Sequence, residues 1–214
     1  MRLFHRSLAA QVACNFPRSG CRTKKCAPGR SGGFLFALLM VMAAVCGNSS
    51  LRSAQSPSPP PSGFRIESAA FKQGALIPPR FSCSGENVSP PLRWTNPPAG
   101  ARSFALIVED PDAPGGVWTH WVVFNLPAQS RALDENAPKQ DKLPNGGLQG
   151  LSSFGSVGYG GPCPPPGNAH RYFFRLYALD NVLRLQPRAR REDLLSALKG
   201  HTLGEAQLMG TFKR

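Results

Sequence analysis

The segment SFALIVEDPDAPGGVWTHWVVFNL, residues 103–126, carries the strongest fold signal in this chain of 214 residues. It holds two mostly apolar runs, 103–109 and 118–126, separated by a turn rich in Asp, Pro and Gly. Apolar runs of this length between turn signals are typical of strands buried inside a sheet. Pro111 lacks the backbone N–H that a strand needs to continue its ladder, so it ends the first run. The segment therefore predicts two adjacent central strands.

Similar patterns on either side predict most of the remaining secondary structure. Strands are expected at 64–68, shortly after Pro90-Pro91, at 170–179 and at 206–212, with extended backbone at 77–81 and irregular backbone at 127–153. Three leucines share one face of a helix predicted over 190–199, and Gly200 follows it as a helix-ending signal. Gly and Pro number 22 each, which favours short strands joined by ordered loops. The predicted fold class is mainly β, with one helix late in the chain.

The front of the chain differs in composition from the rest. Residues 1–63 contain eight Lys and Arg and no acid, so much of the net charge of +13 lies there. The apolar run 34–46 is shorter than the about 20 residues that a spanning helix needs, and it has the length of a signal-peptide core. We expect a basic leader with a signal peptide or anchor (1–46), a Ser/Pro-rich linker (47–63) and a folded domain (64–214). Export to the periplasm or medium follows, with tethering by the apolar run or by lipidation at Cys46 as alternatives to cleavage.

The folded part is only mildly basic. Residues 64–214 hold 17 of the 25 Lys and Arg and all 12 Asp and Glu, a net charge of +5. The densest basic stretch, 188–191, precedes the predicted helix and is typical of a solvated helix start. No longer basic run with interleaved aromatic residues follows residue 63, so a nucleic-acid partner is not expected.

Two of the six cysteines, Cys83 and Cys163, fall within the predicted domain. In an exported protein, two cysteines suggest one disulfide. Two separate thiols are the alternative, because spacing alone does not pair them. The four cysteines of the leader match no metal-site spacing, so we expect no metal there.

Two groups of polar residues lie at or near the ends of the central strands. Asp110 and Asp112 follow the first strand, and carboxylates two positions apart can project to the same side of an extended segment. A turn with Asx-type hydrogen bonds is the structural alternative for this pair. His120 lies within the second strand, where alternation predicts a shared face with Val122 and Phe124. A buried core histidine without a functional role is the alternative there.

A third group lies further along the chain. Alternation places His170 and Tyr172 on one face of a strand, and the Gly/Pro-rich loop 158–167 comes just before them. Glycines let backbone N–H groups approach a ligand closely. Imidazole and phenol groups can donate to phosphate oxygens, and carboxylates behind them favour the protonated imidazole. These groups favour an anion site, provided that the two aspartates face the histidines rather than the ligand.

The order of these groups resembles the signature of the phosphatidylethanolamine-binding protein family, also called the Raf-kinase-inhibitor-like family. Two stretches carry the resemblance: DPDAP at 110–114 with Trp118 and His120, and GP at 161–162 with HRY at 170–172 and LYAL at 176–179. The compact first motif and the loop GYGGPCPPPG at 158–167 are similar to the bacterial branch. The resemblance covers residues 64–214 and leaves the leader outside.

The resemblance implies a β-sandwich of two packed antiparallel sheets with a small anion pocket at one end. The ligand-binding residues that it implies are Asp110, Asp112, Pro114, His120, Gly161, His170 and Tyr172. It implies a non-enzymatic binding module without cofactor or metal. Its ligand would be a phosphate-like anion, such as a phospholipid head group or a phosphorylated partner. A homodimer is left open, because the sequence carries no interface signal.

Two other functions remain open on the sequence. The domain could act through its surface as an inhibitor or regulator of a protease or kinase. It could also be a metal-assisted hydrolase that uses the two histidines and two aspartates as ligands. Against the hydrolase, the sequence has no HxH or HExxH spacing and no Gly-x-Ser-x-Gly elbow.

Overall fold

The computed structural model describes residues 63–214, which contain two antiparallel sheets and one α-helix. The strands are β1 (Arg65–Ser68), β2 (Leu92–Thr95), β3 (Ser103–Asp110), β4 (Trp118–Pro127), β5 (Ala132–Leu133), β6 (Leu148–Gln149), β7 (His170–Leu179) and β8 (Thr202–Phe212). The helix α1 (Arg191–Leu198) lies between β7 and β8 in sequence. One sheet has the order β1-β2-β5, and the other has the order β6-β4-β3-β7-β8. The predicted fold class, mainly β with two packed antiparallel sheets and a late helix, is confirmed.

The predicted leader and all but the last residue of the predicted linker lie outside the described residues. The signal peptide, the anchor and the lipidation at Cys46 therefore stay predictions. Within residues 63–214, no helix is long and apolar enough to cross a membrane.

The centre of the five-stranded sheet, β3 and most of β4, is buried on both faces, which explains the unbroken apolar run of β3. On one face, Phe104 and Leu106 pack with Trp94 of the small sheet in the larger core. On the other face, Ile107 packs in a second core that includes Leu194 of α1. Because successive side chains of a strand point to opposite faces, a strand between two cores must be apolar at every position.

A β-bulge lies in β4 next to the end of β3. Val108 pairs with Trp121, and the next pair of the ladder joins Glu109 to Thr119, so His120 is an extra residue on β4. A bulge re-aims the side chain of the extra residue and bends the strand. This bulge therefore decides the direction of the His120 imidazole.

The predicted alternation along β4 is wrong at this point. Val122 and Phe124 belong to the core beneath the helix, whereas His120 stacks edge-to-face on Tyr172, with ring centroids 5.2 Å apart. Tyr172 belongs to the core between the sheets. His120 thus faces the opposite side of the sheet from the two residues with which period-2 alternation grouped it.

Two further segments differ from expectation. Within 77–81, which was expected to be extended, Pro79–Phe81 forms a short 3-10 helix, because the fixed φ of proline suits a first helical turn. The segment 127–153 is not irregular throughout, since it contains β5 and β6. Strands of two residues are too short to produce a periodic signal in the sequence.

Candidate functional site

A cavity of about 340 Å³ opens where β3, β4 and β7 end near one another. Its walls are formed by Asp110, Ala113, Pro114, Trp118, His120, Phe154, Cys163, Pro164, Pro165 and His170. Four of the predicted site residues, Asp110, Pro114, His120 and His170, line this cavity. The other three predicted residues support the cavity from behind or beside it.

Asp110 joins the end of β3 to the start of β7. Its Oδ2 accepts a hydrogen bond from Nδ1 of His170 over 2.8 Å, and both side chains are almost fully buried. Its Oδ1 accepts from the backbone N–H of Asp112 over 2.8 Å, which is the Asx-type bond that the sequence left as an alternative. Because a carboxylate only accepts, Nδ1 of His170 carries the proton and Nε2 is left for a ligand.

The loop 158–167 holds the imidazole of His120 in place. Its Nδ1 lies 2.7 Å from the carbonyl oxygen of Gly160. Burial lowers the pKa of His120 below its ordinary value, although the Gly160 carbonyl and the charge of Asp110 act in the opposite direction. The imidazole is therefore neutral at physiological pH, with its Nε2 free of any hydrogen bond to residues 63–214.

Asp112 does not line the cavity. Its carboxylate binds the guanidinium of Arg171 through two hydrogen bonds, from Nε over 2.9 Å and from Nη2 over 2.7 Å. It also accepts the backbone N–H of Arg171 over 2.9 Å. The hydrogen bonds from Arg171 lower the pKa of Asp112 to about 2. The negative charge of Asp112 is thus paired beside the cavity instead of being presented to a ligand.

Tyr172 lies beneath the cavity. Its ring is fully buried, and its hydroxyl oxygen has no hydrogen-bond partner among the described residues. Burial, and then the nearby charge of Asp110, raise the pKa of Tyr172 well above its ordinary value, so the phenol stays protonated. The Tyr172 ring stacks edge-to-face on His120, and its hydroxyl lies near the carboxylate of Asp110.

The glycines of the loop 158–167 are used for packing. The N–H of Gly160 donates to the carbonyl of His120 over 2.9 Å, and the N–H of Gly161 donates to Oδ1 of Asn87 over 2.7 Å. A Cβ on Gly161 would collide with the carbonyl of Phe81 and would lie 2.8 Å from the Cα of Ser82. The prediction that glycine N–H groups of this loop are free for a ligand is wrong for Gly160 and Gly161.

The cavity has an aromatic wall that the sequence did not indicate as a site. Trp118 and Phe154 remain 40% and 46% exposed and stack edge-to-face, with centroids 5.5 Å apart. Phe154 also stacks on His120, with centroids 5.4 Å apart. Trp118 was available from its place in the first motif, whereas Phe154 lies in an irregular segment without a pattern.

A disulfide ties the cavity wall to the rest of the domain. Cys163 lines the cavity and is bonded to Cys83, which lies 80 positions earlier in the chain. The two cysteines of the domain are therefore bridged in this structure, although their spacing left separate thiols open. Within residues 63–214, no group of three or more His, Cys, Asp and Glu side chains could hold a metal ion.

The comparison with known families decides the relationship of this fold and cavity to other proteins. Residues 67–213 match the family model described as phosphatidylethanolamine-binding protein, which covers more than half of the chain. The chain belongs to the phosphatidylethanolamine-binding protein family. The resemblance seen in the two motifs is thereby confirmed for this family member.

Similar proteins occur in archaea and bacteria. A UPF0098 protein of Methanothermobacter thermautotrophicus is 55% identical over 151 residues, which are 71% of this chain and 99% of the relative. A UPF0098 protein of Aquifex aeolicus is 46% identical over 153 residues, which are 71% of this chain and 89% of that protein. The phosphatidylethanolamine-binding family domain of this chain therefore corresponds to nearly the whole of these relatives.

Two solved structures share its fold. A phosphatidylethanolamine-binding protein homologue from Chlamydia trachomatis has a TM-score of 0.66 and 41% identity, covering 72% of this chain and 99% of its own. YbcL of Escherichia coli, described as a new member of the mammalian family, has a TM-score of 0.67 and 34% identity, covering 71% and 98%. Both support a binding module in general.

Proposed function

We propose that the domain is a non-enzymatic binding module whose cavity takes a small phosphate-like anion, such as a phospholipid head group or a phosphorylated partner. One observation carries the proposal. His120 and His170 line the same cavity, and each is anchored through Nδ1 by a protein acceptor, so both Nε2 atoms are left for a ligand. Rings held in this way are already oriented, which reduces the entropy that binding must overcome.

The charges around the cavity support an anion. The two aspartates would repel an anion if they were unpaired. Asp112 is paired with Arg171, and Asp110 is paired with His170. When His170 is protonated, its Nε2–H is a charged donor that Asp110 stabilises.

The paired aspartates also reduce the support for a metal-assisted hydrolase. That function needs the carboxylates of Asp110 and Asp112 as ligands. Both oxygens of Asp112 bind Arg171, and both oxygens of Asp110 accept hydrogen bonds within the protein. Regulation of a protease or kinase through the surface stays an alternative. A variant that loses binding to a protein partner but still binds the anion would favour this alternative.

Calorimetric titration of the purified full chain with phosphate and with phosphoethanolamine, with and without chelator, tests the proposal. We expect saturable binding that the chelator does not change. His120→Ala and His170→Ala should each weaken binding severalfold, because each removes one of the two ligand-facing nitrogens.

His201→Ala is the matched control for these variants. His201 also binds an aspartate through Nδ1, over 2.9 Å to Asp180, but it is not among the residues that line the cavity. Binding that needs a metal, or equal affinities in all three variants, would show that the cavity is not an anion site of this kind.

An exported location remains part of the proposal. The disulfide between Cys83 and Cys163 supports it, because disulfides persist in oxidising compartments and are rare in reducing ones. Mass spectrometry of the protein from its native source under non-reducing conditions tests this, and free thiols at both positions would contradict it.

A further inference from the structure

The hydrogen bond between His120 and Gly160 determines whether Nε2 of His120 donates or accepts in the cavity. A carbonyl oxygen can only accept, so the Nδ1 that lies 2.7 Å from it must carry the proton. In the neutral ring, Nε2 then holds a lone pair and can only accept. An imidazole fixed in this tautomer presents an acceptor, not a donor, to whatever enters the cavity.

The groups around His120 do not satisfy this acceptor. The titratable groups that face it are Asp110 at the end of β3, and His170 and Tyr172 on β7. Asp110 accepts from His170 and from the backbone of Asp112, and neither bond reaches His120. The hydroxyl of Tyr172 makes no hydrogen bond to His120, and Phe154 contributes a ring without a polar atom.

The second histidine has a different anchor, a carboxylate instead of a backbone carbonyl. Its Nδ1–H donates to Asp110, and a ring that carries a proton on both nitrogens donates to a ligand through Nε2–H. The cavity therefore holds an acceptor fixed at His120, and His170 can supply a donor. A fully deprotonated oxyanion matches the donor, but its lone pairs meet the lone pair of His120.

We propose that His120 makes this cavity selective for oxyanions that carry a hydrogen-bond donor of their own, such as a singly protonated phosphomonoester. The proposal rests on the proposed anion-binding function and narrows its ligand class. The P–OH of the monoester donates to Nε2 of His120, while a charged oxygen accepts from His170. A phosphodiester has no P–OH and needs another donor, such as an ammonium group.

A pair of nearly isosteric ligands tests the selectivity. Methyl phosphate and methyl sulfate both carry one negative charge at pH 5.5, because the second pKa of a phosphomonoester is about 6. Methyl phosphate has an O–H in this form and methyl sulfate has none. Calorimetry with the full chain should give methyl phosphate the tighter binding by roughly tenfold or more, because an unpaired buried acceptor is costly.

The pH dependence of binding distinguishes the effect of the ligand's own proton from effects of the protein. As the pH rises from 5 to 8, methyl phosphate loses its O–H, so its advantage over methyl sulfate should shrink. A change in the protein that acts on both ligands alike cancels in their ratio. The ratio of the two dissociation constants therefore reports on the ligand proton at His120.

His120→Gln is the informative variant, because a glutamine amide can either donate or accept at this position. The preference for methyl phosphate should fall to within about threefold, with methyl sulfate unchanged or tighter. His201→Gln is the control and should keep the full preference. A thermal melt establishes that each variant is folded. The comparison of methyl phosphate with methyl sulfate on the unaltered protein tests the selectivity even if a variant does not fold.

The outcomes are distinct. If both ligands bind equally at every pH, the selectivity is wrong and the anion site stands. If neither binds at any pH, both the selectivity and the proposed function are wrong. The methyl phosphodiesters of ethanolamine and of choline extend the test to diesters. Neither carries a hydroxyl, and only the first has a nitrogen that carries N–H. Binding of the first and not the second supports the donor requirement and assigns the donor to an ammonium; equal binding of both counts against it.

Discussion

The aspartates and histidines at the cavity each have a hydrogen-bond partner within the protein. Asp112 holds Arg171, Asp110 holds His170, and His120 holds a backbone carbonyl. These bonds determine which atoms remain for a ligand. They also support the proposed anion site, because neither carboxylate is left unpaired at the cavity.

The pairing of Asp112 with Arg171 makes stability depend on acid. The pKa of Asp112 falls from 3.8 to about 2 on folding, so the ionised carboxylate stabilises the folded state above pH 3.8. That contribution is lost as the pH falls through about 2. We expect Asp112→Asn to lower the free energy of unfolding at pH 7, and the difference from the unaltered protein to close between pH 4 and pH 2.

Urea unfolding at several pH values, combined with Arg171→Gln and the double variant, measures this coupling. The coupling energy of the double-mutant cycle should be favourable at pH 7 and vanish near pH 2. A cycle that gives the same energy at both pH values would show that the contact is not an ion pair in solution.

Among the structural elements, β4 and the loop 158–167 shape the cavity together. The bulge on β4 turns His120 towards Tyr172, and the loop carbonyl of Gly160 then orients the imidazole. The loop itself is positioned by close backbone packing at Gly161. The direction of the His120 imidazole therefore depends on two elements that are 40 residues apart in the chain.

Gly161→Ala tests the packing of this loop. The added methyl group would meet the backbone of Phe81 and Ser82, which cannot move as a flexible side chain does. We expect a loss of about 1–3 kcal/mol in the free energy of unfolding, as for other overpacked sites.

Gly63→Ala is the matched control, because a Cβ there meets nothing within 4 Å. Its effect should stay within about 0.5 kcal/mol. Denaturant unfolding of both variants provides the measurement, and equal stabilities would mean that the loop relaxes without cost.

In the described domain as a whole, two cores and one disulfide connect segments that are distant in sequence. The bond between Cys83 and Cys163 closes a loop of 80 residues that contains β2 to β6. Closing such a loop restricts the unfolded chain, and the entropic model gives roughly 4 kcal/mol for this length.

Cys83→Ser and Cys163→Ser should each lower the free energy of unfolding by about this 4 kcal/mol. Reductant should lower the stability of the unaltered protein by a similar amount. It should leave the stability of the variant that carries both Cys83→Ser and Cys163→Ser unchanged. If reductant leaves the free energy of unfolding of the unaltered protein unchanged, the bridge does not form in solution. Calorimetric or urea unfolding at a fixed pH measures all four cases.

Much of the fold could be predicted from the sequence, because the signals were local. The apolar runs of β3, β4 and β7 were long enough to be recognised, and Pro111 indicated where β3 ends. The helix α1 lies within its predicted range, and Gly200, with φ of 79°, occupies the left-handed position that follows it. Short strands such as β5 had no periodic pattern to detect.

The candidate site could be predicted only in part. Residue types and their order along the chain indicated Asp110, His120 and His170, because imidazoles and carboxylates at strand ends are unusual and chemically capable. The sequence by itself therefore determined the family, the main strands and the chemical groups that are available. The tertiary structure alone decided which groups face the cavity. A bulge reverses the face of His120, an ion pair withdraws Asp112, and backbone packing uses the glycine N–H groups. Each of these depends on a partner distant in sequence, so no local pattern records it.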